Sequence, residues 1–334
     1  MATSGSYNFS LTAAQIIQAA WEDLGILQPG GTIVTAHQTM ALSRLNMLAK
    51  QWQARSDYSP GMPVWSRQRV WLFLALQQMK YHIGPASGDS RATTAPGRTT
   101  IRADEAAGQT VLDVTARTDT ATDPGTTVTM TDADIIGVVT DKSGGDDIHW
   151  STISSSSGTG PTVTLASALP TGQPAGTGNY VYWFTARAQR FPHIETAVLR
   201  NSSYNDTPLA IYRSVDEYEE GVADKYSNGD PSAMLVEPLV TRTRVTLNSR
   251  PTDVTKQIVM TVLYPAEDYD ATTDDIAFPQ EAYAALSWEL AFRCASSMGV
   301  NWTPLMAANH KNAVTLFRGM NPEVCNLYFQ PGGV

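Results

Sequence analysis

Apolar positions along this chain follow two rhythms. Near both ends they recur every three to four residues, and between them every second residue, which predicts helices flanking a β-rich middle. Ala13, Ile16, Ile17, Ala20, Trp21 and Leu24 keep to one helical face over 12–24. Thr12 and Gln15 stand at capping-box spacing at its start, and Gly25 suits a left-handed stop. After the turn Pro29-Gly30-Gly31, Thr35 and Gln38 repeat the box. Ala41, Leu42, Leu45, Leu48, Ala49 and Trp52 then form the stripe of a second helix. Phe278-Pro279 starts a third, with Tyr283, Leu286, Leu290 and Cys294 on its buried face and Gly299 at its end. Thr303-Pro304 opens a fourth that runs to about Gly319.

Segments 64–76 and 80–83 are rich in β-branched and aromatic residues and read as strands. A polar stretch from Gly84-Pro85 to Pro96 suggests a domain boundary. From 99 to 184, short Val/Thr/Ile runs at 109–115, 126–130, 135–140, 148–153, 161–166 and 179–184 alternate with Gly, Asp, Ser and Pro turns. Such spacing predicts a small all-β sandwich or barrel. Longer strands are expected at 194–200, 209–212, 234–239, 244–247 and 257–264, with a short acidic helix at 215–225. The expected class is α+β: a helical bundle from the N- and C-terminal segments, a β-sheet region, and an inserted small all-β domain. The expected domains are a core from 1–85 and 187–319, an insert at 86–186 and a C-terminal arm at 320–334.

Composition narrows the function classes. The chain has 334 residues and a net charge of −9, from 23 Lys plus Arg against 32 Asp plus Glu. A protein that grips DNA by neutralising phosphates leans basic, and this one does not. An acidic surface around DNA suits passage rather than retention. Cys294 and Cys325 form no CxxC, and Cys294 on an apolar helix face reads as a buried free thiol. The N-terminus lacks signal-peptide character, and no apolar run approaches the roughly 20 residues that span a bilayer. A soluble product made in the cytoplasm is the expectation.

Candidate chemistry is sparse. Asp146-Asp147-Ile148-His149 is the best metal-like cluster, since Asp147 and His149 would share a strand face, but two ligand types fall short of a site. Glu219-Glu220 and Asp274-Asp275 invite a glycosidase reading, whereas adjacent charges more often mark a solvated face. The stretch 267–275, with five carboxylates and one Tyr, reads as a solvated loop. The Gly-Gly pairs match neither a Walker loop nor GxGxxG. No enzyme activity, metal or cofactor is expected. Leu327, Tyr328 and Phe329 are three consecutive large apolar residues near a terminus, which want a partner surface unless they pack on their own domain.

The order of several short motifs resembles the head-to-tail adaptor, or tail accessory factor, family of short-tailed bacteriophages. These are Ala14-Gln15-Ile16-Ile17-Gln18-Ala19-Ala20 closed by Asp23-Leu24-Gly25, then Ala41-Leu42-Ser43-Arg44-Leu45-Asn46-Met47-Leu48-Ala49-Lys50-Gln51-Trp52, then Tyr81-His82-Ile83-Gly84-Pro85. Phe191-Pro192-His193-Ile194, Asp206-Thr207-Pro208-Leu209, Glu217-Tyr218 and Phe278-Pro279 complete the set. The segment 86–186 resembles a small β domain of some phage neck and tail proteins, in Ala107-Gly108-Gln109-Thr110-Val111-Leu112, Ile148-His149-Trp150 and Val163-Thr164-Leu165-Ala166; it departs from the compact adaptor of the best-known short-tailed phages.

The resemblance implies a structural virion protein of the neck. It would form a ring, dodecameric in the family, beneath the portal protein and offer a platform to the next tail or nozzle protein. Genomic DNA would pass through during ejection without sequence-specific binding. Leu327, Tyr328 and Phe329 would dock on the portal or a neighbouring subunit. A tail-tube or tail-completion protein is the alternative of the same class, and a carbohydrate-binding or depolymerising module in 99–184 is the alternative from another.

Overall fold

The computed structural model describes residues 9–53, 67–84, 91–92, 95–120, 126–140, 147–156, 161–173 and 179–319. The fold is mixed α+β, and the chain divides into two compact units: Met1–Ser66 with Pro265–Val334, and Arg67–Tyr264.

The first unit is helical. Helices α1 (Ala13–Asp23) and α2 (Thr35–Gln53) come from the N-terminal segment. The second unit contributes a short α3 (Val215–Gly221), and the C-terminal segment returns with α4 (Tyr283–Ala295) and α5 (Pro304–Gly319). The capping box at α1 is made: Gln15 N–H donates to Thr12 Oγ1 at 3.4 Å, and Thr12 N–H to Gln15 Oε1 at 2.9 Å. Gly25 follows at φ 70°, where a glycine carries no Cβ penalty. The second box is not used. Thr35 already lies inside α2, and the carbonyl of Val34 receives the first bonds, from His37 and Gln38 N–H.

Helices α1, α2, α4 and α5 share one core, in which Ile16, Trp21, Leu45, Leu48, Leu286 and Leu290 are fully or almost fully buried. The acidic stretch 267–275 exposes Glu267, Asp268, Asp270 and Asp275 to solvent as expected, and is anchored to this core through Tyr269. Tyr269 is buried, its N–H donates to Asn46 Oδ1 at 2.8 Å, and Asn46 Nδ2 returns a bond to its carbonyl at 3.0 Å. Asp274 closes a turn by accepting from the N–H groups of Asp270 and Ala271, both at 2.8 Å.

The second unit contains two layers of sheet and a closed barrel. A five-stranded antiparallel sheet runs Asp206–Pro208, His193–Arg200, Gln257–Leu263, Arg67–Phe73, Arg91–Ala92. A four-stranded sheet runs Ala210–Tyr212, Ala233–Pro238, Thr243–Leu247, Lys80–Ile83. Their inner faces meet through residues such as Val70, Leu72, Tyr81, Met234, Val245 and Met260.

Six further strands run Gly97–Thr100, Tyr180–Phe184, Ile135–Thr140, Asp147–Ser155, Thr162–Leu165, Val111–Asp113. The first and last of these join: Ile101 bridges Val114, Arg102 N–H donates to Asp113 O at 2.9 Å, and Thr115 N–H to Thr100 O at 2.9 Å. The sheet therefore closes on itself, which removes its edges. Ile136, Val138, Val163, Val181 and Trp183 fill the interior. Gly97 makes room for the Trp183 indole, because a Cβ at Gly97 would sit 2.0 Å from a ring carbon.

Strand Arg67–Phe73 explains the longest apolar run of the sequence. Val70 and Leu72 face the sheet sandwich, while Trp71 and Phe73 face the barrel strands, where they pack with Tyr182, Phe184, Val139 and Ile148. Residues 70–73 are buried on both sides and show no polar face, whereas Arg67, Gln68 and Arg69 at the start of the strand are exposed. Arg98 adds a second tie, with its guanidinium 4.9 Å from the Tyr180 ring centre and 4.3 Å from that of Tyr204.

At the outer edge of the five-stranded sheet Arg200 grips Asp206 in a fork of 2.7 and 2.8 Å, which holds the Asp206 carboxyl below the usual carboxylate range. A carboxyl depressed in the folded state contributes stability above its unfolded pKa, and that contribution is lost as pH falls through the folded value. Asp206→Asn is therefore expected to destabilise at neutral pH, with the gap to wild type closing under acid. Urea melts at stepped pH test this; a gap that stays constant with pH would show that the fork contributes no charge-dependent stability.

Candidate functional site

The exposed chemistry of the helical unit concentrates where α4 meets α5. Helix α4 is central to its unit, packing on α1, α2 and α5. Tyr283, Leu286, Leu290 and Cys294 point into the core as their spacing requires. Burial raises the Cys294 thiol above its ordinary pKa. The other side of α4 carries Trp288 and Phe292, one turn apart. The connection to α5 brings Trp302 beside them, its ring centre 6.4 Å from Trp288 and 5.1 Å from Phe292. His310 of α5 stacks on Phe292 at 5.2 Å with 21° between planes.

This aromatic layer is partly open to solvent. Phe292 is 48% exposed, while Trp288, Trp302 and His310 are half-buried and Trp302 also packs on the helical core; Leu305, on the first turn of α5, is separately 71% exposed. Charges rim it: His310 Nε2 lies 2.6 Å from Glu289 Oε2, and Arg293 Nε lies 3.2 Å from Glu289 Oε1. Arg293 Nη2 also donates to Gln51, and Arg44 donates to the Arg293 carbonyl and to Ser297 Oγ, so the rim is tied to α2. Large aromatic faces with a polar border are the anatomy of a contact surface.

The distribution across the chain points the same way. Of the 11 exposed large hydrophobic residues among the described ones, seven belong to the helical unit (Phe9, Ile26, Val34, Met47, Phe292, Leu305 and Leu316) and four to the larger β unit. Single exposed apolar residues are ordinary, but their concentration on the smaller unit is not.

The candidates singled out by sequence fare differently. Leu327, Tyr328 and Phe329 lie outside the described residues, as does Asp146. Asp147 Oδ1 accepts from Ile148 N–H at 2.9 Å, and His149 Nε2 lies 3.3 Å from Ser167 Oγ. Among the described residues no three His, Cys, Asp or Glu side chains gather as a metal site. Glu219 is paired with Lys225, and Asp274 is committed to its turn. Also among the described residues, no helix is long and apolar enough to cross a membrane.

No protein-family model and no curated protein matches this chain.

The α4–α5 face therefore stands on geometry. Sequence reading missed it, although it left a trace. Trp288 and Phe292 sit four residues apart and off the Leu286–Leu290 stripe, which is the pattern of a second apolar face on one helix. Trp302 and His310 are single residues in sequence, and only the turn between the helices brings them to that face.

Proposed function

We propose that this chain is a structural subunit of a bacteriophage neck, an adaptor that assembles as a ring between portal and tail and lets genomic DNA pass. In this reading the four helices of the first unit act as a bundle-like wedge. Residues 86–186 are an inserted β domain within the adaptor core, and the segment 320–334 is a docking arm. The observation that carries the reading is the concentration of exposed apolar residues on the helical unit, above all the α4–α5 aromatic face. A closed ring needs each subunit to present apolar surface to neighbours, and a head-to-tail contact uses two different patches of one subunit. Ile26 and Val34 in the connection between α1 and α2, and Met47 on α2, supply exposed apolar surface separate in sequence from Phe292 and Leu305. The motif order that resembles the adaptor family supports the same assignment, and the net charge of −9 suits a channel wall that does not retain DNA.

The mass of the purified protein, alone and mixed with its cognate portal protein, tests the proposal. The expected result is a fixed multiple of the subunit on the portal; a chain that stays monomeric with the portal would overturn it. Leu305→Glu sharpens the test. At 71% exposure the change should leave monomer stability within about 0.5 kcal/mol of wild type. Assembly should weaken by at least about tenfold, the equivalent of roughly 1.4 kcal/mol. Assembly indifferent to Leu305→Glu would remove the exposed first turn of α5 from the interface.

A further inference from the structure

A cleft in the β unit has a composition that assembly of the helical unit does not use. The four-stranded sheet turns one face to the sandwich core, and α3 covers only part of the other. Beside α3 lies an open cleft of about 170 Å³. Its floor holds Arg244 and Glu237, directly opposed on neighbouring strands and joined by a two-point fork of 2.7 and 2.6 Å. Lys80 comes from the edge strand, and Glu219 and Lys225 stand on the α3 side. Lys225 Nζ bonds the Glu219 carboxylate and the Glu219 carbonyl, and sits 5.6 Å over the Tyr218 ring.

Tyr226 forms the rim. It is 65% exposed and its backbone is left-handed at φ 70°, a conformation that a bulky residue holds only when its surroundings impose it. Here they do. Tyr226 N–H donates to Asn248 O at 3.0 Å, Ser227–Asn228 pairs in parallel with Ser249–Arg250, and Gly229 N–H donates to Arg250 O at 2.9 Å. The loop is stitched down in a form that keeps a tyrosine ring at the edge of a polar cleft, where glycine would suit the backbone better.

We propose that this cleft binds one ring of a carbohydrate. Two features select that chemistry. Glu237 is already committed to Arg244 and Glu219 to Lys225, so a formal cation would have to break a made pair, and an anion would find only Lys80 without breaking one. Hydroxyl groups donate and accept, so they can use the outward lone pairs of the carboxylates and the remaining N–H groups of Arg244 while both pairs stay intact. The exposed Tyr226 face offers an apolar platform for the C–H side of a sugar ring, and the volume suits a single ring rather than a chain. Glu237 stays charged for this role well into acid, because the Arg244 fork holds its carboxyl below the ordinary range.

The test is saturation-transfer NMR on the full chain with millimolar methyl glycosides of glucose, galactose, mannose, rhamnose and N-acetylglucosamine. At least one glycoside should receive transfer at its ring C–H protons. Tyr226→Ala and Glu237→Gln should each weaken binding by about tenfold or more, while Leu305→Glu leaves it unchanged. Tyr226→Gly supplies a variant whose fold is secure, since glycine accepts the left-handed backbone; it should melt no lower than Tyr226→Ala and still lose binding. No transfer to any glycoside would overturn the proposal, as would transfer that survives both Tyr226 variants. Displacement of the glycoside by inorganic phosphate at constant ionic strength would also overturn it, assigning the cleft to anions. Because the ring assembly is read by mass and this cleft by NMR on the dispersed protein, either proposal can fail without the other.

Discussion

Phe73→Ala is expected to destabilise the β unit by about 3–5 kcal/mol, among the largest losses available to a single side chain here. Phe73 is buried, and its ring lies 5.0 Å from Trp150, 5.2 Å from Tyr182 and 5.7 Å from Phe184. It projects from a strand of the five-stranded sheet, whereas its three partners belong to the barrel. Truncation leaves a cavity at the layer where sandwich and barrel meet, and removes three aromatic contacts worth roughly 0.5–1.5 kcal/mol each beyond their area. The β unit should melt about 10 °C lower, and hydrogen exchange should quicken in Tyr180–Phe184 and Asp147–Ser155. Phe73→Leu keeps most of the volume and should cost well under half as much. A loss below about 1 kcal/mol for Phe73→Ala would mean that the layer can collapse around the vacancy and that the aromatic contacts do not hold the barrel in place.

This aromatic layer also marks where sequence reading reached its limit. Local signals transferred well. The Thr12/Gln15 box, the stripe through Leu286 and Leu290, and the strand at 135–140 are each decided by neighbours within a few residues. The box spacing at Thr35 and Gln38 misled, because spacing alone does not say which residue leaves the helical conformation first. Barrel closure depends on Ile101 meeting Val114 and on Gly97 lying under Trp183, and no periodicity encodes such pairings. The cleft is assembled from Lys80, Tyr226 and Arg244, whose strands and loop are brought together by sheet order. The run Val70-Trp71-Leu72-Phe73 reads as a strand, but nothing in its own residues says that both faces are buried or what covers each side.

Trp21→Ala is the corresponding test in the helical unit and should also cost about 3–5 kcal/mol. Trp21 lies on the buried face of α1 and is 1% exposed. Its carbonyl accepts from Ile26 and Leu27 N–H, which ties the turn after α1 to the same residue. Among the described residues its indole Nε1–H has no hydrogen-bond partner, so the side chain stabilises through volume and apolar area alone. That separates two substitutions. Trp21→Ala loses the whole side chain and leaves a cavity beside the core of α1, α2, α4 and α5. Trp21→Phe gives up less volume and also removes a buried donor without a partner, whose desolvation costs about 1–3 kcal/mol, so its net effect should be far milder. Loss of hydrogen-exchange protection from Trp21→Ala should appear in α1 and α4 while strand Gln257–Leu263 keeps its protection. Equal losses for the two variants would show that a polar contact of the indole, and not its packing, stabilises this core.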